Sequence, residues 1–389
     1  MTTLFWILFG LLFYTYLGYG AIGWVLLRFK KKGPNPMEVS GDALPQLTVL
    51  IAAYNEAALI KQKIENTLQQ NYPAERMRIL VVTDGSDDGT PELLQEFPQV
   101  QTLHHPVRQG KIAAVQRAMA YVQTPVVVFS DANTFLNPDA LRNLARHFSD
   151  PQIGAVAGEK RVWSGAKDKA HASGEGLYWK YESWLKKQDA ELGTVVGAAG
   201  ELFAIRAELF ESVPADTIIE DFYLTLRIAQ KGYRVAYAPD AFAEESASAS
   251  AGEEIKRKIR ISAGGFQAMA RLRSLLNPIR YGMLAFQYVS HRVLRWTLAP
   301  AALPLLFLAN AAAAPGSGYY TALLVLQTAF YLVAFLGYLT REKPLPVKGF
   351  QVPFYFVLMN VSVYLGLVKY LRNQQSAIWE KAQRAEWAQ

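Results

Sequence analysis

Long stretches without a charged side chain, near both ends of the chain, constrain its fold most. Residues 4–27 read LFWILFGLLFYTYLGYGAIGWVLL. As a helix this run would extend about 36 Å, enough to cross a hydrocarbon core of about 30 Å. The basic segment 28–32 (RFKKK) follows the run, whereas a signal peptide carries its basic residues in front. We therefore predict that residues 1–32 form a retained transmembrane anchor with a basic flank. The alternative is a buried core helix.

The second uncharged stretch, residues 296–340, is too long for one span and is broken by PGSG at 315–318. It predicts a hairpin of two spans, at about 297–314 and 319–339. A further uncharged run at 349–368 either spans the membrane or lies re-entrant or interfacial, so that 296–371 forms the membrane segment. The positive-inside rule places the basic flank, and with it the middle of the chain, in the cytoplasm.

Two short regions border these membrane segments. Asn277 and Pro278 have the pattern of a helix cap followed by proline at the first helical position. We predict an amphipathic helix on the inner membrane face over 276–295, and the alternative is an ordinary surface helix. Residues 372–389 read as a polar tail.

Composition narrows the class of protein. The chain is 51% apolar and 19% charged, and its 40 Lys and Arg residues exceed its 33 Asp and Glu residues by 7. It is therefore neither disordered nor acidic-tailed. The absence of Cys excludes disulfides, thiolate metal sites and a cysteine nucleophile.

Residues 33–275 alternate strand-like and helix-like patterns. Short apolar runs predict strands, and segments with helical spacing lie between them. This alternation indicates an α/β domain with a mostly parallel sheet. The predicted strands are 47–53, 78–83, 100–103 and 125–130, and the predicted helices are 56–70, 90–97 and 111–122.

Polar residues follow three of these strands where each strand ends. Tyr54 and Glu56 follow the first strand, Asp84 the second, and Asp131 and Asn133 the fourth. Ligands bind at the carboxyl ends of strands in open parallel sheets, so these residues predict a site for a polar ligand with a metal. Each motif taken alone is equally well an ordinary turn.

Further candidates extend this site. Lys111 follows a glycine at a predicted helix start and could meet a diphosphate or be solvated. Asp131 and Asn133 have the spacing of a two-oxygen clamp on Mg²⁺ or Mn²⁺, although Asn is the weaker ligand. No dinucleotide-binding or P-loop glycine motif occurs in the sequence.

Two charged segments lie later in the domain. Glu220 and Asp221 open a predicted helix, either as dipole complements or with one of them as a general base. Residues 256–260 (KRKIR), which end in Arg260, form a cationic helix face for anionic lipid or for a leaving diphosphate.

Six segments then occur in a fixed order. They are VLIAAYNE (49–56), VVTDGSDDGT (81–90), RQGKIAAVQRAM (108–119), VVFSDANT (127–134), GAAGELFAIR (197–206) and IIEDFYLTLRIAQKGYRVAY (218–237). Together they resemble the family 2 glycosyltransferases, specifically their membrane-anchored, polysaccharide-synthase-like branch. The flanking segments SHRVLRW (290–296) and IWEKAQR (378–384) are also similar to that branch.

The resemblance implies a GT-A fold and an inverting transfer from a UDP-sugar, a hexose or N-acetylhexosamine, to the hydroxyl of a glycan or lipid-linked acceptor. It further implies Mg²⁺ or Mn²⁺, the lipid bilayer as a partner, a place in polysaccharide or exopolysaccharide synthesis, and a multi-pass position in the cell (inner) membrane. A homo-oligomer or a secretion partner is compatible with it, and no nucleic acid is expected.

The same resemblance assigns roles to individual positions, which fall into four groups. They are Ala53, Tyr54, Glu56, Asp84, Lys111, Asp131 and Arg260 on the nucleotide sugar, Asp131 and Asn133 on the metal, Gly200 and Glu201 on the acceptor, and Asp221, with Glu220, in catalysis.

Two departures from the family pattern keep other functions open. The D-x-D motif is D-A-N here, and no Q-x-x-R-W signature was found, so that residues 256–260 lack a tryptophan beside them. The alternatives are transfer of one sugar to a polyprenyl phosphate, a catalytically silent nucleotide-sugar-binding subunit, and a transporter. The lack of charge within the spans argues against a transporter.

Overall fold

The computed structural model describes residues 1–30, 44–163, 172–248, 250–341, 348–374, 376 and 378. Its strands are β1 (Leu47–Ala53), β2 (Met77–Asp84), β3 (Val100–His105), β4 (Val126–Asp131), β5 (Thr134–Leu136), β6 (Ile153–Trp163), β7 (Leu202–Arg206) and β8 (Arg234–Ser246). Part of the predicted basic flank, the residues after 341 up to 347, and most of the predicted tail with its IWEKAQR segment lie outside the described residues.

Helices surround this sheet and extend beyond it. They are α1 (Thr2–Phe29), α2 (Ile60–Leu68), α3 (Thr90–Leu94), α4 (Lys111–Met119), α5 (Ala140–Ala145), α6 (Ala172–Leu192), α7 (Glu220–Gln230), α8 (Ala251–Arg271), α9 (Pro278–Trp296), α10 (Leu298–Ala313), α11 (Gly318–Leu339) and α12 (Gln351–Leu371). Short 3₁₀ turns lie at Ala74–Arg76, Arg146–Ser149, Ala207–Leu209, Arg273–Leu276 and Lys348–Phe350.

The eight strands form one mixed sheet in the order β3-β2-β1-β4-β7-β6-β8-β5. The four predicted strands run parallel to one another, which confirms the α/β fold expected for them. The pairs β4–β7, β6–β7 and β5–β8 are antiparallel, while β6 and β8 are parallel. No strand bounds were predicted for the second half of the sheet, where antiparallel pairs interrupt the parallel order.

Strand β1 shows why the sequence pattern was readable. Its residues alternate between two separate apolar layers, with Val49 and Ile51 in one and Leu50 in the other, and all three are almost fully buried. A strand that is buried on both faces has no polar side, so it reads as a continuous apolar run. Observed and predicted bounds therefore coincide for this strand.

Among the described residues, three helices are long and apolar enough to cross a membrane: α1, α11 and α12. The predicted first half of the hairpin is shorter than expected. Helix α10 has 16 residues, or about 24 Å, less than a bilayer core of about 30 Å. It joins α9 at a bend of 52°, so this pair is a broken span or a re-entrant segment.

Polar contacts join the long apolar helices to one another and join α9 to α6. Helix α1 contains a π-helical turn, Tyr14–Gly18, and the hydroxyl of Tyr16 in it donates to Asn360 of α12 over 2.7 Å. On α9, Nδ1 of His291 lies 2.6 Å from Asp189 of α6, and Arg292 pairs with Glu182 at 3.1 Å. The basic side chains of α9 thus contact α6 inside the protein.

The cap that was predicted for α9 is present. The side chain of Asn277 accepts hydrogen bonds from the backbone N–H groups of Ile279 and Arg280, and Pro278 occupies the first helical position. Helix α12 packs along α8. The two helices come close at Gly366, where a Cβ atom would lie 2.5 Å from the Cβ atom of Ser262. These contacts bring α8 and α12 together over the edge of the sheet.

Candidate active site

The carboxyl ends of β1, β2 and β4 open into a chamber of about 2000 Å³. Every site residue predicted from the sequence lines this chamber. They are Ala53, Tyr54, Glu56, Asp84, Lys111, Asp131, Asn133, Gly200, Glu201, Glu220, Asp221 and Arg260. The same chamber continues to side chains of α1, α6, α9 and α12, so it joins the strand ends to the membrane helices.

The end of β1 forms one wall of the chamber. The guanidinium of Arg108 lies 3.6 Å from the ring centre of Tyr54. Asn55 has a positive φ of 54°, and its side chain exchanges two hydrogen bonds with Asp87, at 2.8 and 3.0 Å. The backbone N–H of Glu56 donates to Thr90 over 2.9 Å. These bonds lock the first two motifs against each other.

Asp84 anchors the turn that precedes α4. Its carboxylate accepts from the backbone N–H groups of Gln109 and Gly110, at 2.8 and 2.6 Å, and pairs with Arg117 at 2.5 Å. Gly110 has φ of +96°, a conformation that favours glycine. The predicted nucleotide-base residue thus also positions Lys111 at the start of α4.

Lys111 connects two of the predicted motifs. Its ammonium lies 2.7 Å from a carboxylate oxygen of Asp131 at the end of β4, and 2.7 Å from one of Glu220 at the start of α7. Burial lowers the pKa of Lys111, but the two carboxylates outweigh it and leave this pKa above its usual value. Burial raises the pKa of Asp131, and Lys111 only partly offsets that rise, because its one charge serves two carboxylates.

Asp221 lies beside this ion cluster, in the first turn of α7. Burial raises its pKa from 3.8 to about 7, and the negative charge of Glu220 adds to the rise. Gly200 faces it closely, since a Cβ there would lie 3.5 Å from the carboxyl carbon of Asp221. A carboxylate with a pKa near neutral, next to open space, has the properties of a general base.

The chamber wall around Glu201 holds a second buried ion cluster. Lys160 is fully buried and pairs with both Glu201 and Glu245. Burial raises the pKa of Glu201, but the ammonium of Lys160 outweighs it and holds this pKa far below its usual range. Asn133 reaches the same cluster, with its amide nitrogen 3.5 Å from Glu245.

Arg260 of α8 completes the charged lining. Burial lowers the pKa of its guanidinium, and the carboxylates of Glu220 and Asp221 oppose that effect. The predicted cationic helix face therefore brings Arg260 to the carboxylates of α7 and to Asp131 at the end of β4. A positive charge at this place can compensate a diphosphate.

The chamber wall carries oxygen ligands for a divalent cation. Within the described ranges, no group of three or more His, Cys, Asp or Glu side chains could hold a metal by itself. Asp131 and Asn133 offer hard oxygen ligands on the chamber wall. Mg²⁺ and similar ions are commonly held by one or two such side chains together with substrate phosphates, so the donor set fits a cation that arrives with a diphosphate.

Residues 256–260 have no tryptophan beside them in the sequence. A tryptophan from another segment, Trp296 of α9, lines the same chamber. Its ring centre lies 5.3 Å from that of Phe222, next in sequence to Asp221, and its indole rests on Gly265, where a Cβ would come within 2.6 Å of the ring. The tryptophan comes from the SHRVLRW segment and is brought in by the fold.

Sequence reasoning also missed several buried polar residues. Lys160 and Glu245 carry no motif, and only their position in strands could have marked them. Lys63 is fully buried on α2, and its ammonium donates to the Ser130 side chain and the Thr134 carbonyl, both at 2.7 Å. Lys63 therefore supports, from α2, the turn that carries Asp131.

Comparisons with known proteins agree with this geometry. Residues 48–213 match the model of "Glycosyl transferase family 2". The chain is 26% identical over 263 residues to the beta-monoglucosyldiacylglycerol synthase of Synechocystis sp.. It is 26% identical over 244 residues to the poly-beta-1,6-N-acetyl-D-glucosamine synthase of Staphylococcus aureus. The matches cover 64% and 60% of this chain, but only 55% and 58% of those relatives.

A solved structure matches almost the whole chain. The mannosyltransferase PcManGT from Pyrobaculum calidifontis, in complex with GDP-Man and Mn²⁺, superposes with a TM-score of 0.72 at 25% identity. The match covers 96% of this chain and 99% of that one. The sheet domain and the helices around it therefore share one architecture with that protein.

Proposed function

Because residues 48–213 are a glycosyl transferase family 2 domain with a GT-A fold, we propose that the chain is an inverting hexosyltransferase acting at a membrane. It moves a hexose or N-acetylhexosamine from a UDP-sugar to a hydroxyl of a glycan or lipid-linked acceptor. The observation that carries the proposal is the Lys111–Asp131–Glu220 ion cluster beside Asp221, in a chamber that reaches the membrane helices.

Asp221 acts as the general base in this proposal. Its carboxylate takes the proton of the acceptor hydroxyl while that oxygen attacks the anomeric carbon from the face opposite the diphosphate. The new C–O bond forms as the bond to the diphosphate oxygen breaks, and the nucleoside diphosphate leaves with the electron pair. The pKa near 7 supports this role, because an effective base has a pKa close to the working pH.

Lys111 and Arg260 compensate the charge that develops on the leaving diphosphate. Lys111 stands between the strand end and α7, and Arg260 lies near the same carboxylates. A divalent cation held by Asp131 and Asn133 would supply further positive charge at the diphosphate. The Mn²⁺ in the similar mannosyltransferase structure supports its presence.

The acceptor enters from the membrane side. Side chains of α1 and α12 line the same chamber as Asp221, so an acceptor attached to lipid could reach the base without leaving the bilayer surface. A relative that makes a glucolipid and one that makes a polysaccharide both support such acceptors. Trp296 and Glu201 border the space where the acceptor sugar would lie.

The test measures nucleoside diphosphate release by the purified full chain with Mn²⁺ and lipid extract. The donor panel includes UDP-sugars and, because the similar structure holds GDP-Man, GDP-sugars. We expect release from one UDP-sugar in the wild type and a loss of at least about 100-fold in Asp221→Asn. Release that prefers a GDP-sugar would refute the donor assignment, and near-normal turnover of the variant would refute the base. Binding of the nucleotide without release from any donor would favour the silent-subunit alternative.

A further inference from the structure

One buried cation in the chamber takes no part in the proposed chemistry. Lys186 of α6 is 3% exposed and lines the chamber. Its ammonium lies 5.7 Å from the ring centre of Trp179 and 5.9 Å from that of Tyr237. Within the part of the chain that the structure describes, it forms no ion pair with a carboxylate. A buried ammonium held only by aromatic faces is incompletely compensated.

Two more ammonium groups surround the same ring. Lys258 lies 5.4 Å and Lys160 5.7 Å from the centre of Trp179. Lys258 is 3.5 Å from Glu254, and Lys160 pairs with two carboxylates, whereas Lys186 adds a third positive charge. Because a buried charge without a counter-ion is costly, an anion beside Lys186 would stabilise the arrangement.

Apolar side chains of the long apolar helices line the same chamber as these cations. Leu17 of α1 and Phe356, Met359 and Val363 of α12 line the same chamber. Tyr355 of α12 also approaches the cations, with its ring centre 5.7 Å from the ammonium of Lys258. A cationic subsite that adjoins an apolar wall matches a ligand with a charged group on a hydrocarbon chain.

We propose that Lys186, with Lys258, forms a subsite for the phosphate group of an amphiphilic acceptor, whose apolar chain lies against α1 and α12. This inference rests on the proposed function and specifies its acceptor as a phosphate-bearing lipid or lipid-linked sugar. The subsite holds the acceptor, while Asp221 and Lys111 act at the reacting bond. Lys186 is thus a specificity residue without a role in bond formation.

The experiment uses the full chain in a neutral maltoside detergent and measures equilibrium binding of two probes, dodecyl phosphate and inorganic phosphate. The variants are Lys186→Gln and, as a matched control, Lys187→Gln, which removes an exposed lysine of the same helix. We expect dodecyl phosphate to bind the wild type and the control equally, and Lys186→Gln at least tenfold more weakly. Equal binding to all three proteins would overturn the subsite.

The two probes separate the two sources of phosphate. We expect inorganic phosphate to bind the wild type at least tenfold more weakly than dodecyl phosphate, because it lacks the chain that contacts α12. Equal affinity of both probes would overturn the amphiphilic acceptor and leave a site for free phosphate. UDP binding is measured in the same samples, since its absence would count against the proposed transferase and not against this subsite.

A thermal melt of Lys186→Met distinguishes a binding role from a structural one. Removing an incompletely compensated buried charge is expected to leave the melting temperature unchanged or to raise it, while the affinity for dodecyl phosphate falls. A clear drop in the melting temperature, with the drop in affinity reversed at lower temperature, would show that Lys186 only supports the fold.

Discussion

The pH dependence of turnover tests the proposed base directly. The pKa of Asp221 is raised to about 7 by burial and by the charge of Glu220. At pH 5, two units below that value, only about 1% of this carboxyl group is ionised, against more than about 90% for an aspartate with the usual pKa of 3.8. If Asp221 must be ionised to accept the proton, kcat/KM falls about tenfold for each pH unit below 7.

The assay measures kcat/KM for the donor from pH 5 to pH 9 at a fixed Mn²⁺ concentration. We expect an acid limb centred near pH 7 in the wild type. Glu220→Gln removes a negative charge beside Asp221 and should move this limb to lower pH. Glu211→Gln, which removes a half-buried carboxylate paired with Arg227 and Lys231, should leave the limb in place.

Two results would refute the reasoning about Asp221. A profile that stays flat down to pH 5 would mean that the ionisation of this residue does not limit turnover. An acid limb that persists unchanged in the residual activity of Asp221→Asn would mean that another group produces it. Either outcome would favour the transfer of a sugar to a polyprenyl phosphate, because a phosphate nucleophile needs little help from a base.

Three further predictions concern the metal, a buried lysine and helix packing. Asp131→Asn should raise the Mn²⁺ concentration that gives half-maximal activity at least about tenfold. This concentration is measured by titrating Mn²⁺ into protein treated with EDTA, and an unchanged value would exclude Asp131 as a metal ligand. Burial lowers the pKa of Lys63 from 10.5 to about 7. The unfolded chain therefore binds more protons than the folded chain between pH 7 and pH 10.5, and stability should rise with pH across that window. Lys63→Met should lose this rise in thermal melts, and an unaltered dependence of melting temperature on pH would contradict the prediction. Gly366→Ala should destabilise by about 1–3 kcal/mol, because its Cβ would come 2.8 Å from the backbone nitrogen of Ala263. Gly10→Ala, whose Cβ meets no atom within 4 Å, is the control, and equal melting temperatures would disprove the close packing.

Much of the fold and the outline of the site followed from local sequence patterns. Strand β1 was predicted at its exact bounds because it is buried on both faces. The cap at Asn277 was readable because capping depends on residues adjacent in sequence. The predicted residues Tyr54, Glu56, Asp84 and Asp131 line one chamber, since the ends of parallel strands meet at the same edge of a sheet.

Other features depended on contacts that no local pattern encodes. Trp296 lies against Phe222 only because α9 returns over α7, and Lys160 meets Glu201 and Glu245 only once β6, β7 and β8 pair.

The sequence by itself determined three long apolar helices, the parallel half of the sheet and the motif residues at the strand ends, because hydrophobic period and turn chemistry act over a few neighbouring residues. The tertiary structure decided the charge state of Asp221, the partners of Lys111 and the incomplete compensation of Lys186. Those properties depend on burial and on charges that are distant in sequence, and electrostatic energies take their size from distances that exist only after folding.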